Sequence, residues 1–241
     1  MSKIPKSPDE IFQQFTTDYK NIFGDDLISI ILFGSAARGE YIHKRSDINF
    51  LITLSESGMQ RLKQAFSLIP KWRKKQVSTP LFLTNQYIQT ALDSYPIEFL
   101  SMKQHHQVVY GVDVLSQIKI QSEHLRLQCE RELRGKLIHL RQEYLNTGGK
   151  SKRIKHLVRF SLPAFVSIFS ALLYLKQAEI PKLKKEIFLN TAEIFALDKA
   201  VFDKVLKLQA NKSKLSKEEI TGILEQYINQ IQQLTIIVDE L

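Results

Sequence analysis

The segment that most constrains the fold is a short apolar run that ends at a glycine. Residues 27–33 read Leu-Ile-Ser-Ile-Ile-Leu-Phe, and Gly34 follows at once. A nearly continuous β-branched run of this length fits a buried strand better than a short helix. Glycine permits a sharp change of direction that a side chain would obstruct. We therefore expect a sheet in the first half of the chain, with a turn just after this strand.

Apolar spacing and capping residues predict the elements around this strand. A helix is predicted from Pro8 to Phe23, because proline suits the first helical position and Gly24 suits the end. Further strands are predicted at residues 47–54, 80–84 and 97–102, and helices at residues 62–72 and 85–94. Strands and helices mixed in this way favour one layered α/β unit.

From about Gln121 the pattern is helical throughout. Amphipathic helices are predicted at residues 125–144, 152–177, 182–195, 198–209 and 217–239. Pro163 should bend the second of them or start a new turn, since proline removes an internal hydrogen bond. The predicted fold class is α/β plus α: a small mixed-sheet domain over residues 1–118, followed by a helical bundle over residues 119–241.

Charge and cysteine content restrict partners and compartment. The formal net charge is +9, and residues 119–241 carry 21 Lys and Arg against 14 Asp and Glu. Such an excess favours polyanions such as nucleoside triphosphates or RNA, although solubility alone would also explain it. The single Cys129 excludes an internal disulfide. The apolar core of a signal peptide is missing from residues 1–5, so we expect a cytoplasmic protein with no membrane partner.

Two short motifs carry the candidate chemistry. The Gly34-Ser35 turn, opening a short helix, would offer backbone N–H groups and a hydroxyl to a phosphate. Asp47 and Asn49 stand one residue apart at the start of the next strand, so both point to one face, roughly 6.5 Å apart. Oxygen ligands suit Mg²⁺, and a carboxylate on a neighbouring strand would complete a two-ion clamp. Glu98, in the predicted strand at residues 97–102, is the candidate for that third ligand.

Leu32–Glu40, followed by Ser46–Leu51, resembles the signature of the DNA polymerase beta-like nucleotidyltransferases. The resemblance extends over about residues 27–118 and is nearest to small bacterial members that have a helical C-terminal domain, such as the kanamycin-type and minimal nucleotidyltransferases. It implies that Gly34 and Ser35 hold the β- and γ-phosphates of ATP and that Arg38 contacts phosphate. It also implies that Asp47 bridges two Mg²⁺ ions and that Glu98 binds the catalytic one.

Asn49 departs from the resemblance, because the family carries a second aspartate at this position. An amide oxygen can coordinate Mg²⁺ but brings no negative charge. The substitution predicts weaker binding of the second ion, so that one Mg²⁺ is held rather than two, and a slower transfer.

The leading functional hypothesis is Mg²⁺-dependent transfer of a nucleoside monophosphate, from ATP, to a hydroxyl of a small molecule or a protein. Glutamates of the first long helix are candidates for the general base: Glu130, Glu132 and Glu143. One alternative is a catalytically silent protein that binds a nucleotide or a partner. A second is an RNA-binding or RNA-cleaving role of the basic helical domain, in which Arg134 and His139 resemble the pair of HEPN ribonucleases. The basic residues 150–156 are instead candidates for contact with a triphosphate or an acidic substrate.

Overall fold

The computed structural model describes residues 4–210 and 215–241. Residues 1–3 of the N-terminal segment, where we predict no signal peptide, lie outside the described residues. The chain folds as two compact units, residues 1–120 and residues 121–241. The boundary predicted from the sequence is at residue 118.

The N-terminal unit is built on a four-stranded sheet. Its strands are β1 (Leu27–Phe33), β2 (Asn49–Leu54), β3 (Leu81–Thr84) and β4 (His106–Gly111). The order across the sheet is β3-β2-β1-β4, and β1 is antiparallel to both of its neighbours, whereas β2 and β3 are parallel. The sheet is therefore mixed, and its two central strands are the ones that carry the Gly-Ser and Asp-x-Asn motifs at their ends.

Helices cover both faces of this sheet. They are α1 (Phe12–Phe23), α2 (Glu56–Met59), α3 (Leu68–Arg73), α4 (Asn85–Thr90) and α5 (Pro96–Gln104). On one face Phe15 of α1 stacks on Phe50 of β2 with ring centroids 4.1 Å apart, and Trp72 of α3 meets Phe15 edge-on. On the other face, residues of α4 and α5 pack on Ile31 and Leu51. Burial on both faces explains why β1 and β2 read as continuous apolar runs.

The strand predicted at residues 97–102 is wrong, because this segment is the helix α5. Pro96 occupies the first turn of α5, where its missing N–H costs nothing. The buried residues Ile97 and Leu100, like Phe99 and Met102, are three apart, which places them on the inner side of a helix. The remaining edge of β1 is instead taken by β4, a strand that the sequence analysis does not predict.

The C-terminal unit is helical, as predicted. Its helices are α6 (Ser122–Asn146), α7 (Ser151–Leu175), α8 (Lys184–Ile194), α9 (Lys199–Gln209) and α10 (Lys217–Asp239). Aromatic rings form much of its core, where Phe169 of α7 lies 4.9 Å from Phe188 and 6.1 Å from Phe202 between centroids. The helix α10 begins with a capping box, in which the side chains of Ser216 and Glu219 each accept from the other's backbone N–H.

The helix α7 continues through Pro163 and does not end there. Pro163 and Arg159 are both exposed, so water can reach the carbonyl that loses its internal hydrogen bond. Among the described residues, α7 is also the one helix whose length and composition would allow it to cross a membrane. However, 44% of its apolar window is buried in the unit, and the core helix of a bundle passes the same test.

Candidate functional site

The turn after β1 is compact and is shaped by Gly34. Gly34 has φ +77°, in the left-handed region that favours glycine. Its carbonyl accepts from the N–H of Arg38 at 3.2 Å, and the carbonyl of Ser35 accepts from the N–H of Glu40 at 2.9 Å. Residues 34–39 thus form hydrogen-bonded turns rather than the predicted short helix. Ser35 lies within this turn, at the edge of the sheet.

The Asp-x-Asn pair meets this turn because β1 and β2 are antiparallel neighbours. Asn49 is the first residue of β2 and pairs with Phe33, the last residue of β1. Asp47 lies just before the strand and is exposed, whereas Ile48 and Phe50 are fully buried. The alternation predicted from the sequence is therefore confirmed, and the pair stands beside the Gly34-Ser35 turn.

The side-chain amide of Asn49 lies against Gly34. A Cβ atom added to Gly34 would be 3.2 Å from Nδ2 of Asn49 and 4.0 Å from its Cγ. The lack of a side chain at residue 34 thus leaves the room that Asn49 occupies. This contact between Gly34 and Asn49 holds the Gly34-Ser35 turn next to the start of β2, which Asp47 precedes.

Comparison with known proteins finds a family model that matches part of the chain. Residues 13–101 match the family described as nucleotidyltransferase domain. This match supports a polymerase beta-like nucleotidyltransferase domain in the N-terminal unit. The matched range contains the Gly34-Ser35 turn, Asp47 and Asn49.

Two individual proteins are similar to this chain. It is 42% identical over 55 residues to the "Putative protein adenylyltransferase" of Methanocaldococcus jannaschii, an alignment that covers 23% of this chain and 54% of that protein. The chain thus spans about half the length of this curated relative. The spectinomycin adenyltransferase of Enterococcus faecialis, solved with ATP and spectinomycin, matches 93% of this chain and 99% of its own with a TM-score of 0.54. At 12% identity this likeness shows the fold alone.

In the described part of the chain, the strands that flank Asn49 bring no carboxylate to the nucleotidyltransferase motif. On the β1 side the neighbour is Phe33. On the other side Ile48 bridges to Val77, and the N–H of Ser78 donates to the carbonyl of Ile48 at 3.0 Å. Apolar and hydroxyl side chains therefore stand where a third acidic ligand from a neighbouring strand would be expected.

The sequence predicted Glu98 on a strand beside Asn49, and the structure does not place it there. It lies in the first turn of α5, where its side chain is exposed. A carboxylate in the first turn of a helix is favoured by the helix dipole, which gives Glu98 a structural reason to be there. Its role as a metal ligand stays a prediction, and the reason given for it, the strand position, is wrong.

Basic residues precede the exposed carboxylate of Asp47. The loop before it carries the exposed residues His43, Lys44 and Arg45. Arg38 lies on the preceding turn and forms an ion pair of 3.4 Å with Glu40, both side chains being about one-third exposed. Since a guanidinium has five N–H donors, this contact leaves Arg38 able to bind a phosphate as well.

The N-terminal segment holds the loop between the two motifs. The hydroxyl of Tyr41 donates to the carbonyl of Pro5 at 2.8 Å, and Nδ1 of His43 lies 2.9 Å from the same oxygen. Two side chains of one loop thus share one backbone acceptor. This anchoring positions the chain that leads into Asp47.

His106 is a polar residue of this region that the sequence analysis misses. It is the first residue of β4 and pairs with Phe33, so Asn49, Phe33 and His106 lie in one row across the sheet. Its Nε2 lies 3.0 Å from a carboxylate oxygen of Asp113, and its Nδ1 lies 3.0 Å from the carbonyl of Lys103. Both ring nitrogens therefore face hydrogen-bonding oxygens. A correct prediction of β4 from the sequence would have placed His106 at the start of a strand beside β1.

Burial by itself would raise the pKa of Asp113. Hydrogen bonds from His106 and from the backbone N–H groups of Ser116 and Leu115, together with the charge of His106, outweigh burial and hold that pKa below its ordinary value. Asp113 is therefore a stable negative partner for His106. The pair fixes the loop that follows β4 to the start of that strand.

The candidate bases of the helical unit are already engaged. Glu130 accepts from Arg134 at 2.7 Å and from Arg126 at 3.0 Å, and the hydrogen bond from Arg134 holds the pKa of Glu130 below its ordinary value. Glu132 pairs with Lys136. Glu143 accepts from the side chain of Asn146 at 3.1 Å. Its lowered pKa makes Glu130 a weak base, and the side chains of Glu132 and Glu143 are held by Lys136 and Asn146, so these contacts do not favour the general-base role.

Arg134, the first member of the proposed ribonuclease pair, is also engaged. Besides Glu130 it contacts Asp239 of α10 at 3.1 Å. His139 is exposed five residues further along α6. These two ion pairs give Arg134 a structural role, and nothing in this arrangement favours RNA cleavage.

The donor set of the Asp-x-Asn motif is of the kind that Mg²⁺ prefers. Within residues 4–210 and 215–241, no three His, Cys, Asp or Glu side chains come together as a metal-binding group. Mg²⁺ is commonly held by one or two carboxylates, with phosphate oxygens and water completing its shell. The carboxylate of Asp47 and the amide oxygen of Asn49 supply protein ligands of this kind for one Mg²⁺ ion.

Proposed function

We propose that the nucleotidyltransferase domain binds ATP and transfers its nucleoside monophosphate to a hydroxyl of a small molecule or a protein. In this reaction the hydroxyl oxygen bonds to the α-phosphorus, the bond from the α-phosphorus to the bridging oxygen breaks, and pyrophosphate leaves. The acceptor proton goes to a base or to water. The names of the two relatives support an adenine nucleotide, and one names a protein and the other spectinomycin as acceptor.

One observation carries this proposal. The antiparallel pairing of Phe33 with Asn49 sets the Gly34-Ser35 turn beside the strand end that bears Asp47. Backbone N–H groups and a hydroxyl that can bind phosphate thus stand next to a carboxylate that can bind Mg²⁺. The triphosphate of ATP needs both the phosphate-binding turn and the Mg²⁺-binding carboxylate at the same end of the paired strands.

Each residue has a distinct part in the proposed site. Gly34 and Ser35 bind the terminal phosphates, and Arg38 adds a positive charge beside them. Asp47, with the Asn49 oxygen, would hold one Mg²⁺, which when bound neutralises phosphate charge. Because Asn49 is neutral, the site offers one formal negative charge fewer than an Asp-x-Asp motif. We therefore expect slow transfer.

A second candidate is a catalytically silent nucleotide-binding protein. It is favoured by the two segments that flank the start of β2, because Phe33 on one side and Ser78 on the other are uncharged. Two dications need more negative charge than Asp47 alone supplies. This candidate keeps nucleotide affinity and lacks pyrophosphate release.

Nucleotide binding separates both candidates from a protein that does not use ATP. Titration calorimetry of the full chain with ATP, in Mg²⁺ and in EDTA, should give binding that Mg²⁺ strengthens. Asp47→Ala should remove the Mg²⁺ effect. Asp25→Ala is the matched control, since Asp25 is also exposed and lies in the same unit. Equal binding by both variants would overturn the proposal.

Transfer separates the two candidates from each other. The protein is incubated with ATP labelled at the α-phosphate, Mg²⁺ or Mn²⁺, and panels of hydroxyl compounds and proteins, and pyrophosphate and labelled acceptor are measured. Transfer by the native chain that Asp47→Ala abolishes would establish the enzyme. Binding without transfer by the native chain, with transfer restored in Asn49→Asp, would establish the silent form.

A further inference from the structure

The first turns of α7 carry a strongly basic face. Lys152, Lys155, His156 and Arg159 are three, four and seven residues apart, which places them on one side of the helix. Together with Ser151 they line a surface cavity of about 440 Å³. We call these four residues, with Phe160 beside them, the α7 basic face.

The cations of the α7 basic face form no ion pairs with the described residues. Within residues 4–210 and 215–241, no acidic partner is found for Lys152, Lys155 or Arg159, whereas Arg126 and Arg134 of α6 both bind Glu130. The first turn of α7 also contains no acidic residue. Lys152 lies in the first turn of α7, where a cation opposes the helix dipole, so its position is not explained by helix stability.

Two rings stand beside these cations. The His156 and Phe160 rings lie with centroids 4.2 Å apart and planes 31° from parallel. Phe160 is 65% exposed, although it belongs to one of the residue types most often buried. An exposed flat ring supported by a second ring is a surface on which a nucleobase can stack, irrespective of its identity.

We propose that the α7 basic face binds single-stranded nucleic acid, with phosphates on Lys152, Lys155 and Arg159 and a base on Phe160. From Lys152 to Arg159 the helix rises about 10 Å, so the cations follow a line instead of converging on one phosphate. A groove of cations with an aromatic platform is the general pattern for binding single strands. The net positive charge of residues 119–241 agrees with a polyanionic ligand. This activity is separate from the proposed nucleotidyl transfer.

The test is the binding of a fluorescein-labelled 12-nucleotide single-stranded RNA to the full chain, followed by fluorescence anisotropy at several salt concentrations. The double variant Lys155→Glu/Arg159→Glu should weaken binding at least about tenfold and lower the salt slope by about 1.4, the value for two lost phosphate contacts. The control Lys182→Glu/Lys204→Glu makes the same charge change at exposed lysines elsewhere in the unit. An equal loss of RNA affinity in the control variant would mean that binding depends on overall charge alone, and it would overturn the proposed site.

Stacking is tested at Phe160. Phe160→Ala should weaken binding about fivefold or more, and Phe160→Trp should retain it, because a base loses its platform only in the first variant. Circular dichroism of each variant checks the helical fold. Asp47→Ala should leave RNA affinity unchanged, which distinguishes this site from the proposed ATP site. Absence of RNA binding by the native chain, or displacement of RNA by an equimolar amount of ATP, would overturn the proposal.

Discussion

Nδ2 of Asn49 would lie 3.2 Å from a Cβ atom at Gly34, so the residue that departs from the Asp-x-Asp pattern also packs against the Gly34-Ser35 turn. The contact follows from the pairing of Phe33 with Asn49, which sets the end of β1 beside the start of β2. Any change at either residue should therefore act on the turn and on the start of β2 together.

Gly34→Ala should destabilise the N-terminal unit and weaken ATP binding. The left-handed backbone costs an alanine about 1 to 2 kcal/mol, and the new methyl group displaces Asn49. Gly39→Ala is the matched control, because Gly39 has φ +76° and nothing within 4 Å of its added Cβ. Urea unfolding and ATP titration would measure both effects. If Gly39→Ala lowered ATP affinity as much, contact with Asn49 would not be the cause.

Gly111→Ala should be severely destabilising. Its Cβ would overlap the carbonyl oxygen of Ile28, a backbone atom that cannot move without disturbing β1. With φ at +77° in addition, we expect a loss of more than about 3 kcal/mol. Gly24→Ala, at φ +55° and with nothing within 4 Å of its added Cβ, should cost only the backbone strain. Similar unfolding midpoints in urea for the two variants would contradict this account.

Thr53→Val should stabilise the N-terminal unit by about 1 kcal/mol, because it removes the desolvation cost of a buried unpaired hydroxyl while keeping the volume. Thr53 and Ser29 are directly opposite on β2 and β1, both are fully buried, and neither hydroxyl has a hydrogen-bond partner in the described part of the chain. Thr84→Val should do the reverse, since the Thr84 hydroxyl accepts from the N–H of Tyr87 and caps α4. Urea unfolding of both variants would measure the changes. Destabilisation by both would point to a buried water between Ser29 and Thr53.

Asp113→Asn should destabilise the protein at pH 6 and progressively less as the pH falls below 3.8. The pKa of Asp113 is lowered in the folded protein, so its contribution is present above the unfolded value near 3.8 and is lost as the pH falls through the folded value. Asp25→Asn, at an exposed carboxylate of the same unit, should show no such difference. Thermal unfolding of the two variants and the native chain between pH 3 and 6 would measure this. A difference that persisted unchanged to pH 3 would exclude the His106–Asp113 pair as its source.

The strands that are buried on both faces could be predicted from their residues. The segment from Leu27 to Phe33 is β-branched and apolar, and its predicted bounds are those of β1. The alternation of Asp47 and Asn49 with Ile48 and Phe50 likewise predicted which side chains are buried. These signals are local, because period and residue type act within a few neighbours.

The segment from Ile97 to Met102 could not be assigned from the same signals. A short apolar run with one Glu fits a buried strand and a core helix equally well. The tertiary structure decides between strand and helix, because β4, from residue 106 onward, pairs with the edge of β1 that a strand at residues 97–102 would have needed. The error moved Glu98 from a strand to a helix and removed the basis for the third metal ligand.

The chain's own residue order thus established the strand and turn that begin the motif, the paired orientation of Asp47 and Asn49, and the helical second half. The folded arrangement alone established which strands flank Asn49, that Phe33 and Ser78 bring no charge there, and that the α7 cations have no acidic partner among the described residues. The reason is physical: backbone period and turn chemistry depend on near neighbours, whereas charge balance at a site depends on which distant segments pack beside it.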